Sequence, residues 1–176
     1  RGLFEKSVIV VTADHGEELF DHGGFGHGRH LHAEVLDIPL LIRFPGGRGA
    51  RRVEPVVEQV DVMATVLELF GLALPGPTDG RSLLPLCGPT PRADWKNRAV
   101  SHLDRRGRSA VSLLAPPWKL ILETRDGQEV LVLYDRRTDR GERRDLAAAR
   151  PEEVAALRSA LQALLERTEY THEDVA

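Results

Sequence analysis

Apolar and polar positions alternate along this chain in three regimes. Near its start, Val8-Ile9-Val10-Val11 is an unbroken β-branched run and reads as a buried strand. Ile38 to Phe44 repeats that character apart from Pro39 and Arg43, and Pro45-Gly46-Gly47 ends it sharply. Between these runs, His32 to Asp37 is expected to form a short helical turn. The second regime has helical spacing. Val62, Val66, Leu69 and Phe70 fall on one face, expected to be core, with Asp61 placed as an N-cap and Gly71 as the C′ residue. A proline-punctuated stretch over 75–98 reads as ordered surface loop. In the third regime Ser109 to Leu114, Trp118 to Glu123 and Val130 to Tyr134 read as strands. The last two are joined through the hairpin signal Asp126-Gly127. Pro151 at N1, followed by Glu152 and Glu153, then opens a helix whose apolar stripe is Val154, Leu157, Leu161, Leu164 and Leu165.

The chemistry gathers where the first strand ends. Asp14-His15-Gly16-Glu17 follows Val8 to Val11 directly, and in open α/β sheets ligands sit just beyond the carboxyl ends of strands. An Asp and a His in tandem bring a hard oxygen donor and an imidazole nitrogen to one point, which suits a divalent metal. Gly16 is expected to let the backbone turn away without a Cβ in the site. Five of the chain's seven histidines (His15, His22, His27, His30 and His32) lie between positions 15 and 32. Gly23, Gly24, Gly26 and Gly28 are interspersed with them, so the strand end carries a loop rich in both residues.

TADHGEELFDHGGFGHGRHLHAEVLDIPLLIRFPGG resembles the second metal-binding segment of the sulfatase family, in the alkaline phosphatase superfamily. The resemblance continues in family order through QVDVMATVLELFGLALPG, DGRSLLPL and LYDRRTDRGERRDLA, and so covers nearly the whole chain. It implies an α/β fold: part of a mixed or parallel sheet flanked by helices, alkaline-phosphatase-like, followed by a small antiparallel sheet plus C-terminal helix. Residues 1–98 would be the C-terminal part of the catalytic domain and 99–176 a small α+β subdomain.

The resemblance also implies roles. Asp14 and His15 would bind one divalent metal, with calcium first and manganese or zinc as alternatives because an imidazole replaces the Asn many relatives carry. His27 stands where the family often has Lys, a residue that contacts the sulfate or protonates the leaving oxygen, and a histidine is able to do both near neutral pH. His22 is a further substrate-side or orienting candidate. His30 and His32 are expected to be structural or exposed. Glu17 is expected to accept a hydrogen bond from His15 or a loop amide and stays outside the catalytic set. The substrate implied is a sulfate ester (or phosphate ester) of a small molecule or glycan.

The family nucleophile is a Cys or Ser in a Cys/Ser-x-Pro-Ser/Thr-Arg motif. Cys87-Gly88-Pro89-Thr90-Pro91-Arg92 comes close to it, with an extra Pro before Arg. In the family, however, the nucleophile lies upstream of Asp-His-Gly-Glu, so Cys87 reads as a decoy. The resemblance therefore calls for a missing N-terminal half. Two alternatives stand beside it: a phosphodiester or phosphonate monoester hydrolase of the same superfamily, and a non-catalytic interaction module.

Composition narrows the classes further. The 176 residues are 41% hydrophobic and 29% charged with a formal net charge of -3. That mild acidity, without a basic stripe, gives no reason to expect nucleic acid. No apolar run reaches membrane-spanning length. The single cysteine rules out an internal disulfide or a cysteine-built zinc site.

Overall fold

The computed structural model describes residues 2–47, 50–88, 94–105, 107–125 and 127–167. A short helix α1 (Leu3–Lys6) leads into strand β1 (Ile9–Thr12). The histidine-rich loop contains two two-residue strands, β2 (Glu18–Leu19) and β3 (Phe25–Gly26), and helix α2 (Ala33–Leu36) follows. Strand β4 (Leu40–Arg43) pairs antiparallel with β1, matching Ile9 with Arg43 and Thr12 with Leu40. Strand β1 is displaced one residue from its apolar run, and β4 lies within its run, between Pro39 and Pro45.

Helix α3 (Val60–Leu69) closes with a Schellman motif: Leu72 N–H donates to Leu67 O (2.9 Å) and Gly71 N–H to Glu68 O (3.0 Å), with Gly71 at φ +65°. Gly71 is thus the C′ residue its position predicts. The start of the helix differs from expectation. Asp61 lies inside the first turn and is fully buried. Its carboxylate accepts hydrogen bonds from the backbone N–H groups of Glu58 (2.7 Å) and Arg81 (2.8 Å) and from Lys96 Nζ (3.0 Å). The buried face is accordingly Asp61, Ala64 and Thr65, while Phe70 is 72% exposed. Polar anchoring, not the apolar stripe, orients this helix. The segment packed on it is held by Thr65 Oγ1, which accepts from Leu83 N–H (2.8 Å). Gly80 fits only because it lacks a Cβ, which would fall 2.3 Å from Val60 O. The proline-rich stretch is therefore not all surface. It contains a short helix α4 (Leu84–Cys87), and Leu83 and Leu86 are core.

The remaining strands form an antiparallel meander in the order β5 (Ala99–Arg105), β6 (Arg108–Ala115), β7 (Trp118–Arg125), β8 (Gln128–Asp135). The first of these was not anticipated: Ser101, His102 and Asp104 dilute its apolar alternation. Register places Leu113, Leu120 and Leu133 on one face, all essentially buried, where helix α5 (Pro151–Arg167) packs with Leu161 inward. The other face carries Ala110, Ile121, Tyr134 and the buried Lys119. Leu31 from the histidine-rich loop joins Ala110, Ile121 and Tyr134 in one apolar cluster. The meander thus holds a helix on one side and the candidate site's loop on the other.

Candidate active site

Strand β1 ends at Thr12, and Gln59 Nε2 fastens the chain just beyond it by donating to Ala13 O (3.1 Å). Asp14 and His15 follow in an exposed position. Gly16 is required here for closeness: its N–H donates to Val35 O (2.7 Å), and a Cβ would stand 2.0 Å from Glu34 O. The glycine therefore seats the Asp-His pair against α2 and is not, as the sequence suggests, mainly a means of turning away.

His15 has a defined tautomer. Its Nδ1 lies 2.8 Å from the carbonyl of Gly16, which accepts only, so Nδ1 carries the hydrogen. Nε2 then presents a lone pair, as a metal ligand must. Asp14 Oδ2 lies 3.7 Å from that nitrogen. The hydrogen bond that Asp14 Oδ1 accepts from the His15 backbone N–H (3.0 Å) holds the carboxyl below its ordinary value and keeps it an anionic donor. One carboxylate oxygen and one imidazole nitrogen this close together fit a divalent cation by donor chemistry.

His27 stands beside this pair. Its ring lies 4.0 Å, centroid to centroid, from that of His15. Its Nδ1 donates to Glu17 Oε1 (2.7 Å), which leaves Nε2 for whatever occupies the adjoining space. The flanking Gly26 (φ +97°) and Gly28 (φ +70°) adopt the left-handed backbone that presents this side chain at the loop's tip. Glu17 thus bonds to His27 and not to His15. His15, Glu17 and His27 together bring three ligand-type atoms within 4.8 Å of one another.

The other loop histidines face inward, toward the meander. His22 has both ring nitrogens engaged, Nδ1 with Glu34 Oε1 (2.7 Å) and Nε2 with Glu142 O (2.9 Å), and it stacks on His32 at 3.8 Å. His30 Nε2 meets Glu18 Oε2 at 2.5 Å, and His32 Nδ1 meets Glu142 Oε2 at 3.1 Å. Two carboxylates that the sequence did not single out organise this network. Glu18, 1% exposed, also accepts from the backbone N–H groups of His22 (2.9 Å) and Gly24 (2.7 Å) and so closes the β2–β3 turn. Glu142 is fully buried at a positive φ and binds Lys119 Nζ (2.9 Å), Arg136, His32 and the Ala33 N–H (3.0 Å). Glu18 lies two residues after the His-Gly pair and Glu142 lies within the LYDRRTDRGERRDLA block, but neither position by itself signals a role in the loop. Glu142 is 110 residues from His32 in the chain.

These pairings predict an acid limit. The hydrogen bond from His30 is the main cause holding the Glu18 carboxyl at about 2. Burial pushes Glu142 up, but His32, Lys119 and Arg136 outweigh it and leave its carboxyl at about 2 as well, against an ordinary 4.5. A depressed carboxyl contributes stability above its unfolded value, lost as pH falls toward the folded one. For Glu142 that amounts to about 3 kcal/mol. His22 has the opposite sign. Burial lowers it, but the Glu142 carbonyl and Glu34 raise it overall, so its share is present below 6.5 and is lost as pH rises through the folded value. Urea unfolding at a series of pH values should show stability dropping steeply between about 4.5 and 2. A flat profile there would contradict the network.

Cys87 is half-buried at the end of α4. Burial pushes its thiol up against the opposing pull of Arg51, which disfavours the thiolate and makes it a poor nucleophile. Pro89 to Arg92, the remainder of the near-motif, lie outside the described residues.

The chain matches the family described as N-sulphoglucosamine sulphohydrolase, C-terminal, over residues 20–171 and belongs to that family. It corresponds to the C-terminal portion of sulfatases in the alkaline phosphatase superfamily. Arylsulfatase K of Bos taurus is 30% identical over 173 residues, covering 93% of this chain and 32% of its own length. The chain thus spans about a third of the curated relatives it matches. The phosphonate monoester hydrolase SpPMH from Silicibacter pomeroyi superposes with a TM-score of 0.81 at 27% identity, over 98% of this chain and 37% of that one. BT4656, solved in complex with its substrate D-glucosamine-2-N,6-O-disulfate, superposes with a TM-score of 0.73 at 24% identity, over 92% of this chain and 35% of that one. These likenesses establish the alkaline-phosphatase-like fold. Among the described residues no helix is long and apolar enough to cross a membrane.

Proposed function

We propose that this chain is the C-terminal segment of a metal-dependent sulfuric ester hydrolase, in which Asp14 and His15 supply half of the shell of one divalent cation and His27 contacts the substrate. Calcium is the first candidate and manganese or zinc the alternatives. Residues 1–98 would complete a catalytic domain whose other half comes from upstream sequence, and residues 99–176 would form the subdomain that anchors the loop. The observation that carries the reading is the geometry of His15: its Nε2 lies 3.7 Å from Asp14 Oδ2 while the His27 ring lies against its ring at 4.0 Å.

A bound cation would neutralise charge developing on the ester oxygens and favour a deprotonated nucleophile. The chain's own residues do the rest. Gly16 O fixes the His15 tautomer. Glu17 holds the His27 ring by accepting from Nδ1, so that Nε2 is the nitrogen left to contact an ester oxygen and to deliver a proton to the leaving group. His22, tied at both nitrogens, serves this site as a positioning residue that fixes the loop. The likeness to SpPMH supports a second reading, in which the same residues serve a phosphonate or phosphate ester.

Without a nucleophile, the 176-residue chain alone should not turn over 4-nitrophenyl sulfate. Robust hydrolysis by it, abolished by Cys87→Ser, would overturn both the fragment reading and the decoy reading. The complete hydrolase should cleave the aryl sulfate, and faster cleavage of a phenyl phosphonate monoester would transfer the assignment to the second reading.

A further inference from the structure

An open cleft of about 520 Å³ adjoins His27, lined by Glu17, Phe25, His27, Arg29, Arg105 and Arg108 together with Gly26 and Gly28. Its charge is one-sided. Glu17 is the single carboxylate in its lining, and that carboxylate already accepts from His27. Among the described residues none of the three arginines has an ion-pair partner, so their guanidinium groups stand free in one cleft.

The placement of the arginines carries the argument further. Arg105 and Arg108 are direct cross-strand partners at the tip of the β5–β6 hairpin. Like charges in that position repel and destabilise the pair. Arg105 also reaches onto the loop: a Cβ on Gly28 would fall 2.5 Å from Arg105 Nη1. The hairpin therefore leans its guanidinium over the residue next to His27. At the rim, Phe25 is 59% exposed and offers a flat apolar surface.

We infer that Arg29, Arg105 and Arg108 form a second anion subsite, which takes a sulfate or carboxylate borne by a sugar whose reacting ester lies at His27. The inference rests on the reading of His27 as the substrate contact. Planar guanidinium forks match tetrahedral sulfate and planar carboxylate through paired hydrogen bonds. An anion bridging Arg105 and Arg108 relieves their mutual repulsion. The exposed Phe25 ring suits the apolar face of a pyranose. The enzyme then prefers doubly anionic sugars over simple sulfate esters.

The test measures binding of two probes to the 176-residue chain by calorimetry: glucosamine carrying both an N-sulfate and a 6-O-sulfate, and glucosamine carrying the 6-O-sulfate alone. Wild type should bind the disulfated probe at least about tenfold more tightly, the value of one well-placed charge-assisted contact. In the variant Arg105→Gln with Arg108→Gln this ratio should collapse to about one. A ratio that is unchanged in the variant, or already near one in wild type, overturns the subsite. Aryl sulfate turnover by the complete hydrolase reports separately on the reaction centre. Turnover with an unchanged ratio removes the subsite and keeps the sulfatase reading. A collapsed ratio without turnover keeps the subsite and removes that reading.

Discussion

Glu142→Ala is expected to destabilise the chain by about 3–5 kcal/mol, the range for removing one partner of a buried charge cluster. The carboxylate is fully buried and faces Lys119, 3% exposed, and Arg136, 14% exposed. Removing it leaves the buried Lys119 without its counter-ion, leaves Arg136 with Asp37 alone, and strips His32 Nδ1 and the Ala33 N–H of their acceptor. Burial already lowers Lys119 from its ordinary value, so that side chain would tend to lose its proton when the carboxylate is gone. Against a typical domain stability of about 5–15 kcal/mol, the loss is large. Urea denaturation at neutral pH measures it. A cost below about 1 kcal/mol would place Glu142 among ordinary surface ion pairs.

In the complete hydrolase, His27→Ala should lower the rate about a hundredfold to ten-thousandfold, the usual worth of a positioned acid or anion contact. His30→Ala and His32→Ala should reduce activity much less per folded molecule. Their nitrogens meet Glu18 and Glu142 on the side of the loop that faces the meander, so their loss should appear chiefly as lower stability. His27→Lys should retain part of the rate because it restores a cation at the loop tip. Glu17→Gln should move the same way as His27→Ala but less far, since an amide oxygen still accepts from Nδ1 but makes a weaker bond than a carboxylate and holds the ring less firmly. Equal losses for the three histidine-to-alanine variants would show that the loop matters only as a structural whole.

What could be read from the sequence was local. Asp14 and His15 follow a β-branched run within a few residues, so the placement of the glycine- and histidine-rich loop at a strand end was legible. The C-terminal sheet and helix were legible for the same reason, because alternation and capping are short-range signals. What the letters could not give is long-range. The partners that turn His22, His30 and His32 inward are Glu18, Glu34 and Glu142, and one of them arrives from across the chain. Asp61 looks like an N-cap until Lys96 and the backbone N–H of Arg81 converge on it. Strand β5 has little apolar pattern of its own and is recruited by pairing with β6. Phe70 scores as core by periodicity and is exposed, because α3 is oriented by buried polar contacts.

The position of the cation decides whether Asp14 and His15 are its ligands. The most direct measurement is an anomalous difference map from crystals of the complete hydrolase soaked in manganese. It should show a peak about 2.2 Å from both an Asp14 carboxylate oxygen and His15 Nε2, with His27 nearby but outside the shell. A peak bonded instead to Glu18, His30 and Glu34, or held by His15, Glu17 and His27 with Asp14 left out, would contradict it.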